Sequence, residues 1–437
     1  MKASAAKRVS FLILMLLLIW GTVPAAAEES SGEEAAAPEI TFWQTDIWDY
    51  TPAIQAYVDE VNPELTVHIA TVPLYNYQDK LKIALASGDV PDLILFPNWL
   101  LPQFALASAP QSGMFADMNQ ISEEVVGELQ ANLARGVWGT VNPPYRQQSV
   151  SFIPLNSSPA VWFYRTDLFR QAGLPAAPDA VSAKLNSWNA VEAAGKTFTA
   201  KTKKALFGEP SELFRHMLAL NGPVYYNMKG VYIGDQNPQI KKAYDYVVNG
   251  LKNGWIGRYE TGTPAAIKAM KSGAIGSSIG WPGTENQIKD RFGKAGSGKW
   301  AVAPLPEGST DSGILSGAIP ADAHEPAIAL DLLHWLASEK MQNWAYHELG
   351  LFPANLKVLS EPEWLAEKDA YFGNQQVNRV LAQAAKTAKP DALSQELYPA
   401  PDAYDNAISK LVRNAKADPA KEWAAAVKTA KSRAVKR

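Results

Sequence analysis

Apolar positions along this chain fall into short continuous runs separated by longer stretches with helical spacing. The clearest example is Ala84–Trp99, ALASGDVPDLILFPNW. A helix ends at Ser87-Gly88, a Gly-Asp-Val-Pro turn follows, and Asp92–Phe96 is a nearly all-apolar run. Such a run predicts a strand covered on both faces, as in a parallel sheet. Pro97 cannot donate to a ladder and stops it. Asn98 and Trp99 are then presented past the carboxyl end of the strand, where ligands bind in open α/β sheets.

The flanking pattern agrees. Ile40–Trp43 predicts a first strand, followed by the ring-rich polar loop Gln44-Thr45-Asp46-Ile47-Trp48-Asp49-Tyr50. Thr51-Pro52 opens a helix whose inward face is Ile54, Val58 and Val61, and Asn62-Pro63 closes it. Leu65–Ala70 is a second strand. Tyr77–Ala86 is a second helix, with Leu81, Ala84 and Leu85 inward and Gly88 as its C-terminal cap. Strand, helix, strand, helix, strand at this spacing defines an α/β chain.

The middle of the chain repeats this order. Val161–Tyr164 is a strand, and helices start at Thr166 and Ser187. Ala205–Gly208 is a short strand broken by Glu209-Pro210. Asn237-Pro238 opens a helix that carries Ile240, Tyr244, Val247, Val248 and Leu251 on one face. Thr263-Pro264 opens another, and Ala274–Gly280 is a small-residue strand leading to Trp281. Trp300–Pro304 is a further strand. Helical regions follow over 325–348 and from Ala400 to the end. No repeat of solenoid period and no linker composition stands out, as expected for a two-lobed chain that crosses between its lobes more than once.

Composition narrows the function. Lys and Arg number 41 against 44 Asp and Glu, a net charge of −3, so nucleic acid is not the expected partner. With no Cys, thiolate metal sites, Cys nucleophiles and an N-terminal lipid-modified Cys are excluded. Lys2, Lys7 and Arg8 precede the apolar run Val9–Trp20, and Ala25 and Ala27 fit a small-residue cleavage site. Residues 1–27 therefore read as a signal peptide, and residues 28–38 as a flexible lead-in. The expected protein is exported, either periplasmic or extracellular.

Several segments in order, ITFWQTD, ALASGDVPDLILFPNW, VWFYRTDLFRQAGLP, IKAMKSGAIGSSIGW, WAVAPLPEGS and SGAIPADA, resemble the family 1 extracellular solute-binding proteins of ABC importers, the group of the maltose-binding protein. The resemblance implies a two-lobed α/β fold of the periplasmic-binding-protein type. Each lobe would be a mainly parallel sheet flanked by helices, with a sugar clamped between the lobes. Carried over, lobe one covers 39–150 with 312–352 and lobe two covers 153–308 with 356–437. Crossings fall near 150–153, 307–312 and 351–355. Where the local pattern matches, the resemblance puts Trp43, Gln44, Asp46 and Trp48 of the first strand end and its loop at the cleft. It adds Asn98 and Trp99, Asn156 from the crossing, Glu209 of the Glu-Pro pair, Trp281, and Tyr404 of the C-terminal segment. It further implies ABC permease subunits as partners of a monomeric, non-catalytic protein without cofactor or metal. The charged residues that fix maltodextrin in the family have no clear equivalent here.

These residue types suit a sugar. Indole and phenol rings stack on its C–H face, and Asn, Gln, Asp and Glu pair with its hydroxyl rim, charged acceptors most strongly. Trp99 and Trp281 are expected as opposing jaws. Trp162, Trp188, Trp255 and Trp423 lie in periodic apolar patterns and are assigned to the core. Gly276–Gly280 matches G-x-S-x-G, but Trp281-Pro282-Gly283 leaves no helix for a nucleophile elbow. GKAGSGK over 293–299 is followed by Trp and a strand, unlike a phosphate-binding loop. A secreted carbohydrate-active enzyme is the competing reading. It would need a carboxylate pair spanning a glycosidic bond, and no spacing marks one.

Overall fold

The computed structural model describes residues 37–100, 113–143, 149–222, 224–227, 231–392 and 400–434. The expected signal peptide and all but the last two residues of the lead-in lie outside the described residues. The strands are β1 (Glu39–Thr45), β2 (Thr66–Val72), β3 (Leu93–Pro97), β4 (Ile153–Pro154), β5 (Val161–Arg165) and β6 (Ala205–Phe207). They continue with β7 (Ile275–Gly280), β8 (Trp300–Ala303), β9 (Thr310–Asp311), β10 (Leu315–Ala318) and β11 (Lys389–Pro390).

Two sheets carry the fold. The first has the order β2-β1-β3-β10-β4 and the second β6-β7-β5-β8. In each sheet one strand runs against all the others. β1 pairs in parallel with β2 and β3, while β10 is antiparallel to β3 and β4. β6 pairs in parallel with β7, while β5 is antiparallel to β7 and β8. The reversed strands are those the chain enters straight after crossing between the sheets. Leu315 at the start of β10 pairs with Pro97 at the end of β3, and Val161 at the start of β5 pairs with Gly280 at the end of β7. Both crossings therefore arrive at the carboxyl ends of the co-directional strands.

The all-apolar run forms β3, buried along its whole length as expected of a strand covered on both faces. Phe42, Leu93–Phe96 and Leu333 belong to one core; Trp162, Phe207, Tyr244 and Trp255 belong to a second. Trp188 is buried in the second core, and Trp423 packs against it with Tyr244 and Tyr404. The region 325–348 is two helices, Pro326–Leu336 and Glu339–Leu349, because Ser338 caps the second by accepting from Met341 N. Gly276–Gly280 lies wholly inside β7, and Ser277 Oγ donates to Leu206 O. The 293–299 stretch begins as a 3-10 turn, Gly293–Gly296, ahead of β8.

Between the sheets the crossing segments are bonded to one another. Asp311 is fully buried and accepts from Ser157 Oγ and Ser158 N, both at 2.5 Å. Burial pushes its carboxyl up to about 7 despite these two bonds, and Asp391 adds to the rise. β9 pairs in parallel with β11, which lies against the helix Arg135–Val141. That approach requires glycine: a Cβ on Gly136 would sit 2.6 Å from Ala388 O, and one on Gly139 2.6 Å from Pro390. Thr140 of the same helix donates to Asp311 O and accepts from Asp391 N. Leu351–Asn355 runs alongside, with Phe352 O accepting from Ser157 N and Ala354 O from Ala134 N. The chain beyond it reaches the second sheet, where Gln375 brackets the backbone of Val302 by bonds of 2.9 and 2.6 Å.

Asp92 anchors the first sheet. Its carboxylate accepts from Thr41 N and Thr41 Oγ1 on β1 and from His324 N and Glu325 N at the start of the helix Pro326–Leu336. Burial pushes this carboxyl up, but the hydrogen bonds from Thr41, Glu325 and His324 outweigh burial and hold it below the usual range. Asp92→Ala leaves the backbone N–H groups of Thr41, His324 and Glu325 without this partner and should cost about 2–4 kcal/mol in urea unfolding at neutral pH. Because the folded pKa is depressed, this contribution is present above the ordinary Asp pKa of about 4. It is lost as pH falls through the folded value, so the gap between wild type and variant should close in acid. A gap independent of pH would contradict this role.

Candidate functional site

On the first sheet, β3 runs into the single turn Asn98–Leu100. Asn98 is buried; its N donates to Ile314 O at 2.7 Å and its Oδ1 accepts from Ile314 N at 3.0 Å. This two-way clasp fixes the strand end to the segment entering β10 and turns Trp99 outward, 44 % exposed. The Trp48 ring backs Trp99 at 6.5 Å between centroids. On the second sheet, β7 ends at Gly280, and Trp281 follows with its N donating to Thr284 Oγ1 at 3.0 Å. Gly283, at φ +90°, turns the chain into the next helix and donates to both carboxyl oxygens of Glu285. Trp281 is half-buried against the second core.

Trp99 and Trp281 border one cavity of about 320 Å³, together with Asn98. Its floor is crossing chain: Ala160, Thr310, Ser312 and Gly313. One wall is the helix Pro210–Ala219, which buries Leu213, Phe214, Met217 and Leu218 and turns Glu212, Arg215, His216 and Ala219 toward the cavity. That spacing of three, four and seven residues is one helix face. The helix Ala400–Arg413 adds Asp402 and Asp405, and Asp391 enters from beyond β11. Arg215 pairs with Asp405 at 2.9 Å and with Glu212 at 3.5 Å. Burial pushes the carboxyls of Glu212 and Asp405 up, and Arg215 opposes the rise without cancelling it. Burial lowers His216 to about 4, against a backbone hydrogen bond to Gly308, so its ring is neutral near pH 7.

The other residues expected at a cleft do not border this cavity. Gln44 is buried within its own loop: Nε2 donates to Asp49, Thr51 and Thr71, and Oε1 accepts from Tyr50 N. Asp46 accepts from Leu74 N at the start of the second helix. Trp43 lies edge-on to Tyr77 at 6.5 Å. Asn156 is buried in the crossing, where Oδ1 accepts from Leu315 N at 2.6 Å and Nδ2 donates to Ser157 O. Glu209 accepts from Gly262 N and borders a separate small void with Phe207 and Ser278. Tyr404 is fully buried, its hydroxyl 2.9 Å from that of Tyr232 and its ring 5.3 Å from Tyr225; the next residue, Asp405, reaches the cavity instead. Sequence reading missed Glu212, Arg215, His216, Asp402 and Asp405. The one available signal was charged positions three or four apart on the cavity-facing sides of two helices.

Two sheets of mostly co-directional strands, joined by crossings at their carboxyl ends around a ring-lined cavity, define a two-lobed α/β protein of the periplasmic-binding type. The family model described as "Bacterial extracellular solute-binding protein" matches residues 52–373, and the chain belongs to that family. No curated protein sequence matches it. Among solved structures, an extracellular solute-binding protein of family 1 superimposes with a TM-score of 0.81 at 21% identity, covering 91% of this chain and 100% of that one. The sugar-binding protein MalE of Xanthomonas citri gives 0.72 at 18% identity, covering 91% and 96%. The galacto-N-biose/lacto-N-biose I-binding protein of Bifidobacterium longum gives 0.66 at 18% identity, covering 92% and 98%. Among the described residues no helix is long and apolar enough to cross a membrane.

The placement of Tyr404 generates a test. Tyr404→Phe removes the hydroxyl bonded to Tyr232 and should cost about 1 kcal/mol of stability in thermal or urea unfolding, with ligand affinity unchanged. Weakened binding at unchanged stability would return this ring to the site.

Proposed function

We propose that this chain is the extracytoplasmic binding component of an ABC importer for a carbohydrate, which it holds in the cavity between its sheets and passes unchanged to permease subunits. The observation that carries this reading is the pair Trp99 and Trp281. They come from strand ends of different sheets and border the same cavity. Rings in that position offer stacking faces to a pyranose, and the polar groups around them pair with its hydroxyls. The sugar-binding proteins named among the similar structures support the same ligand class.

The lobes of this reading are 39–150 with 312–352 and 153–308 with 356–437. The hinge is the bundle of crossing segments, with β11 laid against it. Asp311 and Thr140 tie these strands together, so closure turns on small backbone changes outside the two cores, as in hinge motions generally. The protein acts as an exported monomer and releases its ligand chemically unchanged.

Calorimetry against a panel of mono- to tetrasaccharides tests the reading. One ligand should bind with one-to-one stoichiometry and be recovered chemically intact. Trp99→Ala and Trp281→Ala should each weaken it, by up to about 1–3 kcal/mol, the worth of a base–ring stack, while melting as the wild type does. If every sugar fails while an amino acid or a peptide binds, the ligand class is wrong. Shortened products in the recovered sugar would instead make the protein an enzyme.

A further inference from the structure

Resting on the reading of the cavity as a sugar site, we infer that its ligand carries a protonated amine: an amino sugar or an aminated oligosaccharide rather than a neutral one. Among the described residues four carboxylates border the cavity, Glu212, Asp391, Asp402 and Asp405, against one guanidinium, that of Arg215. That guanidinium is already engaged by two of them, Glu212 and Asp405. Asp405 Oδ1 is buried and has no hydrogen-bond partner among the described residues. His216, 6 % exposed, also lines the cavity. It is neutral, its other nitrogen is held by the backbone of Gly308, and Nε2 is left as an acceptor without a partner among the described residues.

Among the described residues the charged lining is thus mostly acceptors, beside the uncharged donors of the Trp99 and Trp281 indoles and the Thr310 and Ser312 hydroxyls. A sugar hydroxyl brings one donor and two acceptor lone pairs, so it leaves acceptors facing acceptors. An ammonium brings three donors, no acceptor and a full positive charge. It also supplies the compensation that Arg215 alone does not provide, since the Glu212 and Asp405 carboxyls remain raised beside that guanidinium. The two indoles complete the match. Each stacks on a sugar face, and a cation beside an aromatic ring gains further from its quadrupole.

The experiment compares three disaccharides with the same linkage and different groups at carbon 2: the glucosamine dimer, its N-acetylated form and cellobiose. Calorimetry is run near neutral pH with a chelator present, at low and at high salt. The glucosamine dimer should bind about tenfold or more tighter than either neutral dimer. The preference should shrink as salt rises, and Asp402→Asn should narrow the ratio, with wild-type melting as the check on folding. Equal binding of all three, or a preference untouched by both salt and Asp402→Asn, overturns the amine while leaving a sugar site standing. Failure of all three dimers together with every sugar of the wider panel overturns the sugar reading itself, and this inference with it.

Discussion

The constraint on which the structure depends is the direction of one strand in each sheet. β5 and β10 run against their neighbours, so each begins where the others end. A segment that leaves one sheet and enters the other must then pass the carboxyl ends of both. Those ends are where side chains and unpaired backbone groups of an open α/β sheet converge. The crossings and the candidate site therefore occupy the same place for a topological reason, and any relative motion of the two sheets acts directly on the cavity. Asn98 is the local expression of this. Its two bonds to Ile314 join the end of β3 to the segment entering β10, and the next residue is the exposed indole of Trp99.

The chemistry of the cavity follows from what the crossings bring together. The second sheet contributes an indole and one charged helix face, and the helix Ala400–Arg413 contributes two aspartates three residues apart. Groups that would be solvated on an isolated helix are here partly withdrawn from water, which raises the carboxyls of Glu212 and Asp405 and lowers His216. Such a lining is costly without a ligand and favours one that satisfies it, which is the physical basis of specificity in a polar site. The buried Asp311 plays a different part. Its bonds to Ser157 and Ser158 join crossing segments, and it does not border the cavity.

Much of the fold was legible because apolar periodicity reports burial directly. The β3 run, the turn at Gly88 and the helices capped by Asn237 and Thr263 read correctly from residue types, whereas the Thr51-Pro52 helix takes Tyr50 as its cap and leaves Val61 exposed, since its inner face depends on what it packs against. Trp99 and Trp281 were legible as residues just past strand ends. What escaped was set by tertiary partners. Gln44 and Asn156 have the residue types of ligand contacts, yet their polar groups are spent on loop and crossing backbone. Tyr404 was placed one residue away from the position that faces the cavity, because helix phase at a single residue depends on what the helix packs against. Glu212, Arg215 and His216 lie on one helix face whose pattern leaves solvent and a cleft indistinguishable in sequence.

The central claim is that two indoles from different sheets clasp one ligand. Fluorine NMR of protein labelled with fluorotryptophan, with each resonance assigned by substitution, tests it most directly. Titration with the bound sugar should shift the Trp99 and Trp281 resonances in step with occupancy and leave the core rings Trp162, Trp255 and Trp300 in place. Saturation with ligand that leaves both Trp99 and Trp281 unmoved would contradict the account.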